Sequence, residues 1–273
     1  MAQGHNNECV GAGQSGRVYH LTPSIVLKHS WVGNEKDTEC ERKVYERLGP
    51  HPRILKYLGP GPMPIEPERL PPRDIGIRLE YHPKGSLREY IPSDAEIFPL
   101  KWAEQIAEGL EYLHRNRIVH CDTSSSNILV TDNLDVVLCD FAGSIIDGVK
   151  VNGVSYEQRC SRRYEYTDDF DHIDDLFGFG TVIYELSTRM RPYADKTDQE
   201  VRQLYKKGEF PDVSSLEMGS IINKCWHGGY ESASAVLVDI RRLASANDET
   251  WSFSQYLYSI YALLPSTLKQ LFI

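Results

Sequence analysis

The chain has 273 residues, 41% hydrophobic and 25% charged, ordinary values for a globular protein of one large domain or two small ones. Its formal net charge of −9 excludes broad binding to nucleic acid or to an anionic membrane, since both surfaces would repel it. No apolar run reaches transmembrane length, and Met1 to Val10 lacks a basic start followed by an apolar stretch. An intracellular location, cytoplasmic or nuclear, is therefore expected.

In chain order, Val10, Val18 to Leu21 and Ile25 to Lys28 predict three short strands. Gly11 to Gly16 and Thr22-Pro23-Ser24 are the turns between them. Cys40, Val44, Tyr45 and Leu48 share one face at helical spacing, which predicts a helix over Glu35 to Leu48 that Gly49-Pro50 ends. Ile54 to Leu58 and Ile75 to Glu80 predict two more strands. Between them Pro60 to Pro72 holds six prolines in thirteen residues, and proline lacks the donor a central strand needs, so an extended connector is expected. Tyr81 to Ser86 is rich in turn residues, and beyond it the pattern becomes helical. Trp102, Ile106, Leu110 and Leu113 make an apolar stripe. Asp175 to Leu186 is apolar on nearly every face, which calls for burial all round. Tyr256 to Leu264 predicts a last helix. The six scattered cysteines include no C-x-x-C pair and read as free thiols; Cys139 reads as a small buried hydrophobe before a modifiable thiol.

Four segments carry chemistry. Gly11-Ala12-Gly13-Gln14-Ser15-Gly16-Arg17-Val18 is a glycine-rich turn, and Ile25-Val26-Leu27-Lys28 a strand ending in lysine. His120-Cys121-Asp122 stands five residues before Asn127, and Asp140-Phe141 follows eighteen residues after Asp122. Each alone has a bland reading as a turn, a solvated lysine or a capped loop. In this order they resemble the eukaryotic protein-kinase superfamily. The resemblance implies an α+β, bilobal protein-kinase fold in one domain, 1–273. A small β-rich lobe with one main helix would span 1–80, a hinge 81–85, and a larger, mainly helical lobe 86–273.

That resemblance also implies ATP and Mg²⁺ as cofactors and a protein substrate as partner, with transfer of the γ-phosphate to a hydroxyl. Gly11, Gly13 and Gly16 would let the backbone close over the phosphates. Lys28 would contact the α- and β-phosphates, with Glu41 as its helix partner and Glu39 the second candidate. Leu79 would be the gatekeeper, with backbone groups of Glu80 and His82 holding the adenine edge. Val18, Val26 and Leu129 would sandwich its ring. Asp122 would accept the substrate proton, and Asn127 and Asp140 would ligate Mg²⁺. His120 and Phe141 would pack beneath the site, and Asp175 would tie the catalytic loop's backbone to its helix. Lys207 to Pro211 and Lys224-Cys225-Trp226 extend the likeness over nearly the whole chain, and the later spacing most resembles a compact, divergent group of fungal protein kinases.

The departures touch regulation and docking. Cys121 stands where most members carry the arginine that receives a phosphorylated loop, so activity independent of loop phosphorylation is expected. Ser144, Ser155, Tyr156 and Ser161 remain candidate modification sites, with Arg162 or Arg163 as substitute anchors. Ser124 replaces a lysine common in serine/threonine kinases, and Ala142 replaces a glycine. Arg163-Tyr164-Glu165 occupies the place of the A-P-E motif. The acidic run from Asp168 to Asp175 reads as a solvated face before a site for basic substrates. Competing readings are a pseudokinase scaffold and a small-molecule kinase; the helix pattern from Asp175 to Glu185 argues against the second.

Overall fold

Five antiparallel strands build the small lobe: β1 (Cys9–Ala12), β2 (Arg17–Thr22), β3 (Ile25–His29), β4 (Tyr57–Pro62) and β5 (Ile75–Glu80), ordered β1-β2-β3-β5-β4. The computed structural model describes residues 9–13, 15–31, 33–62, 75–150, 156–162 and 169–246. The proline-rich stretch beyond Pro62, Ser155, the segment Arg163 to Asp168 and the expected helix Tyr256 to Leu264 lie outside them.

Helix α1 (Glu35–Leu48) forms where the apolar spacing places it. It buries Cys40, Glu41, Val44, Tyr45 and Leu48 as one stripe, and Gly49 at φ 62 ends it with its N–H on the Tyr45 carbonyl. Tyr45 stacks on Tyr57 at 5.5 Å and meets the edge of Phe141 at 5.1 Å.

The strand expected over Ile54 to Leu58 is displaced. Ile54 instead makes an isolated bridge to Leu138, and the strand runs from Tyr57 through Pro60 and Pro62, into the stretch expected to be an extended connector outside the sheet. The reason lies in its place: β4 is an edge strand with a register irregularity between Tyr57 and Pro60, where a missing N–H costs no ladder bond.

The larger lobe starts with α2 (Leu87–Tyr90) and α3 (Pro99–Arg115), whose stripe Trp102, Ile106, Leu110 and Leu113 is fully buried. Short strands follow. β6 (Ile118–Val119), β9 (Ile145–Ile146) and β10 (Val149–Lys150) form one sheet; β7 (Ile128–Val130) and β8 (Val136–Leu138) form a hairpin. At the centre lies α4 (His172–Thr188), buried from Asp174 to Leu186 as its composition requires. Gly178 lets the loop carrying Asp122 press against α4, because a Cβ there would stand 2.3 Å from the Thr123 carbonyl oxygen.

Helices α5 (Asp198–Lys206) and α6 (Gly219–Trp226) complete the layer, with Phe210 stacked on Trp226 at 5.1 Å. Residues 233–246 add a helix the sequence reading did not anticipate. The fold is thus the expected α+β, bilobal one. No helix among the described residues is long and apolar enough to cross a membrane.

Candidate active site

The cleft between sheet and helices holds about 780 Å³ and is lined by Gly13, Ser15, Asp122, Asn127 and Asp140, among others. Lys28 reaches it from β3. Its Nζ lies 2.8 Å from Glu41 Oε2 and 2.6 Å from Asp140 Oδ1. Of the two candidate partners on α1, Glu41 is the buried one; Glu39 turns outward to the exposed Lys43 at 2.7 Å. Burial opposes the charge on Lys28, but Asp140 and Glu41 outweigh it and hold its pKa above the ordinary lysine value. Burial also pushes Glu41 up to about 7, against the pull of Lys28.

The loop from His120 to Asn127 is hung from α4 by Asp175. That carboxylate accepts the backbone N–H groups of His120 at 2.8 Å and Cys121 at 2.9 Å, and the Thr123 hydroxyl at 3.1 Å. It also lies 2.9 Å from His114 Nε2. Burial alone would raise its pKa, yet His114 and the donated hydrogen bonds bring it below the usual aspartate value. Cys121 sits at φ 70, a left-handed conformation that this anchoring sustains. His120 places Nε2 3.0 Å from the Cys139 carbonyl and lies against Phe141, with ring centroids 5.1 Å apart.

Asp122 is held at both oxygens. The Asn127 side-chain amide donates to Oδ2 at 2.9 Å and to the Asp122 carbonyl at 2.9 Å, while the Glu157 backbone N–H donates to Oδ1 at 2.8 Å. Burial pushes the carboxyl up to about 6, against these bonds. Asp140 lies in the left-handed region at φ 61 and accepts the Ser15 hydroxyl at 3.1 Å through Oδ2. The Ser15 contact is one that spacing did not reveal.

Among the glycines, Gly16 answers a backbone demand. Its φ is +152, and a Cβ would lie 2.0 Å from the His29 carbonyl oxygen. Gly11 would meet only Val18 at ordinary contact, and Gly13 nothing within 4 Å. The Gly13 carbonyl accepts the Trp31 indole N–H at 3.0 Å, which fixes the turn to the segment before α1. Val26 and Leu79 face each other in the β3–β5 register, and Val18 and Leu129 pack on the same core. Glu80 donates its N–H to the Lys56 carbonyl, and the His82 carbonyl accepts from Gly85. Of the predicted residues, Gly13, Asp122, Asn127 and Asp140 line the cleft, and Lys28 reaches Asp140 from the sheet.

Several regulatory expectations change. Ser144 and Ser161 are buried, at 1% and 4% exposure, so neither is accessible to modification in this conformation. Arg162 is engaged by Asp171 and Asp174 at 3.0 and 2.8 Å. The acidic run divides: Asp169 and Asp171 are exposed, Asp171 also capping α4, whereas Asp174 closes the capping box from a buried position and the buried Asp175 anchors the loop. Burial raises the Cys139 thiol's pKa, as befits a small hydrophobe.

The family described as protein tyrosine and serine/threonine kinase matches residues 5–234. Serine/threonine-protein kinase 12 of Arabidopsis thaliana is 28% identical over 70% of this chain and 45% of its own length. Mitogen-activated protein kinase kinase kinase 3 of the same plant is 27% identical over 81% of the chain and 37% of its length. A tyrosine-protein kinase of Hydra vulgaris is 29% identical over 78% and 29%. The chain thus spans less than half the length of these curated relatives.

Proposed function

The chain belongs to the protein tyrosine and serine/threonine kinase family, and on that premise we propose that it transfers the γ-phosphate of ATP to a protein hydroxyl. Serine or threonine is the acceptor by likeness to the two plant relatives. The observation that carries the reading is the double pairing of Lys28 with Glu41 and Asp140, which sets a cation between the sheet and the Asp122 loop.

The residues present suit a nucleotide with Mg²⁺. Asp140 offers a carboxylate, and Asn127, whose amide N–H group is spent on Asp122, offers its side-chain oxygen. Hard oxygen donors of this kind are what Mg²⁺ takes. Gly13 has no protein neighbour that would exclude a side chain, so the fold itself does not demand glycine there; close approach of a phosphate would. When bound, the metal would neutralise charge on the phosphates.

The chain's own groups divide the rest of the work. Lys28, kept charged by its two carboxylates, would hold the inner phosphates. Val18, Val26, Leu79 and Leu129 would enclose the adenine, with backbone groups of Glu80 and His82 at its edge. Asp122, oriented by Asn127, would take the proton of the acceptor hydroxyl. His120 and Phe141 would support the loop without reacting.

Transfer of labelled γ-phosphate to generic protein substrates, with and without Mg²⁺, tests the reading. Metal-dependent labelling of protein is expected; labelling of small aminoglycoside or choline acceptors alone would replace it with a small-molecule kinase. Binding is read separately by thermal shift. Nucleotide with Mg²⁺ at ~100 times its dissociation constant should stabilise the protein by about 2.7 kcal/mol. The absence of any shift at millimolar concentration would leave a nucleotide-free scaffold instead.

Control by the activation segment follows from the same residues. A phosphate orders a loop chiefly through charge-assisted pairs with arginine. Here Cys121 replaces the usual arginine, Arg162 is bound to Asp171 and Asp174, and Arg159 is buried against the Pro192, Tyr193 and Lys196 carbonyls and Asp198. Turnover should survive phosphatase treatment, with mass spectrometry confirming a bare segment. A large loss on dephosphorylation would contradict this.

A further inference from the structure

Beside Asp122 stands a set of charges that nucleotide binding does not use. The Glu157 carboxylate, 17% exposed, accepts from Arg88 Nη2 at 2.7 Å through one oxygen and from Arg191 Nη2 through the other. Arg88 comes from α2, and Arg191 from the turn after α4. Arg88 is itself fixed: Nε donates to Ser125 Oγ at 2.7 Å, and Nη2 lies 3.4 Å from the buried Glu185. Ser125 closes the ring with a 2.5 Å bond to Glu185. The backbone N–H of the gripped residue is the one that donates to Asp122 Oδ1.

We propose, granting the kinase reading above, that Glu157 is the positioning residue of the catalytic base: two arginines hold its carboxylate and thereby hold its N–H on Asp122. An aspartate carboxyl turns easily about its last torsion, whose rotamer wells are broad. Asn127 fixes one oxygen, and the N–H of Glu157 fixes the other, so the carboxyl presents a set face to an incoming hydroxyl. A carboxylate held by two guanidinium groups anchors the segment as a phosphate between arginines does, but it is permanent. The anchor therefore lies at the base itself and needs no modification.

Three substitutions separate the carboxylate from the N–H. Glu157→Asp keeps both, Glu157→Gln keeps the N–H but loses the charge, and Glu157→Pro removes the N–H together with the carboxylate, so the step from Gln to Pro isolates the N–H. Proline is compatible with the backbone there, because residue 157 lies at φ −73. The readouts are kcat, KM for Mg-ATP, and amide exchange at residue 157. Glu157→Asp should retain kcat within about threefold, Glu157→Gln should lose about tenfold and Glu157→Pro about a hundredfold, the scale of one or two charge-assisted hydrogen bonds. KM for Mg-ATP should move by less than about twofold in all three, because none of the lost contacts reaches the nucleotide groups. Exchange at residue 157 should quicken about tenfold in Glu157→Gln relative to the wild type.

Equal kcat in Glu157→Gln and wild type would overturn the proposal, as would equal kcat in the Gln and Pro variants. A parallel loss of kcat and nucleotide affinity in all three, Glu157→Asp included, would make the cluster merely structural and also overturn it. The exchange measurement needs no turnover. Wild-type protein that transfers no phosphate would sink the kinase reading, and unchanged exchange at residue 157 in Glu157→Gln would then sink the clamp on its own.

Discussion

Replacing Asp122 with asparagine should leave nucleotide binding in place and lower phosphoryl transfer by ~10²–10⁴-fold, the usual contribution of a general base. The change is nearly isosteric, so the loop remains anchored by Asp175. Two donors now face Asp122, the Asn127 amide at Oδ2 and the Glu157 N–H at Oδ1. An asparagine side chain has one oxygen, so it satisfies one of them and sets an N–H₂ group against the other. Some ordering of the activation segment is lost, while the cost of burying a carboxylate is relieved. Nucleotide affinity by thermal shift and turnover on one protein preparation give the comparison. Near-wild-type turnover with normal affinity would place the proton-accepting role on another group or trace the activity to a contaminant.

Much of this cleft is local information. The glycine turn, the strand lysine, His120 to Asn127 and Asp140-Phe141 are short segments whose spacing is fixed by a strand, a turn or a loop, and such spacing survives in the sequence. Helix α1 was equally readable, since Cys40, Val44, Tyr45 and Leu48 repeat at helical period, and that helix turns Glu41 inward and Glu39 outward. The strand around Pro60 was not readable, because proline argues against a strand until the strand is known to be an edge. Residues 233–246 carry a signal of the same kind as α1, since Ala233, Val236, Leu237 and Ile240 are buried at helical spacing. The Glu157 cluster left no comparable trace. Arg88 meets a glutamate 69 residues away and another 97 away, and nothing local to either segment announces the meeting. In the acidic run composition reports charge, while the burial of Asp174 and the cap made by the exposed Asp171 are decided by where α4 begins.

Replacing Asp175 with alanine should be the most damaging change to the fold among the residues of the site. Its carboxylate is fully buried and accepts the N–H groups of His120 and Cys121 and the hydroxyl of Thr123, with His114 beside it. Alanine leaves two buried backbone donors without an acceptor, at about 1–3 kcal/mol each, so a loss of roughly 3–5 kcal/mol is expected. That is a large part of the ~5–15 kcal/mol by which domains are stable. The left-handed Cys121 would also lose the bond that sustains it, and the loop bearing Asp122 would relax. Urea denaturation measures the first effect, and turnover below the melting transition measures the second. Glu39→Gln, which breaks only an exposed pair with Lys43, is the control and should leave the midpoint where it was. The pH dependence has a definite sign. The folded pKa of Asp175 lies below its unfolded value, so its contribution is complete above the ordinary aspartate range and disappears as pH falls through the depressed folded value. The gap between wild type and Asp175→Ala should therefore narrow in acid. A midpoint equal to that of the wild type at neutral pH would mean that the loop is held by other contacts and that Asp175 is not its anchor.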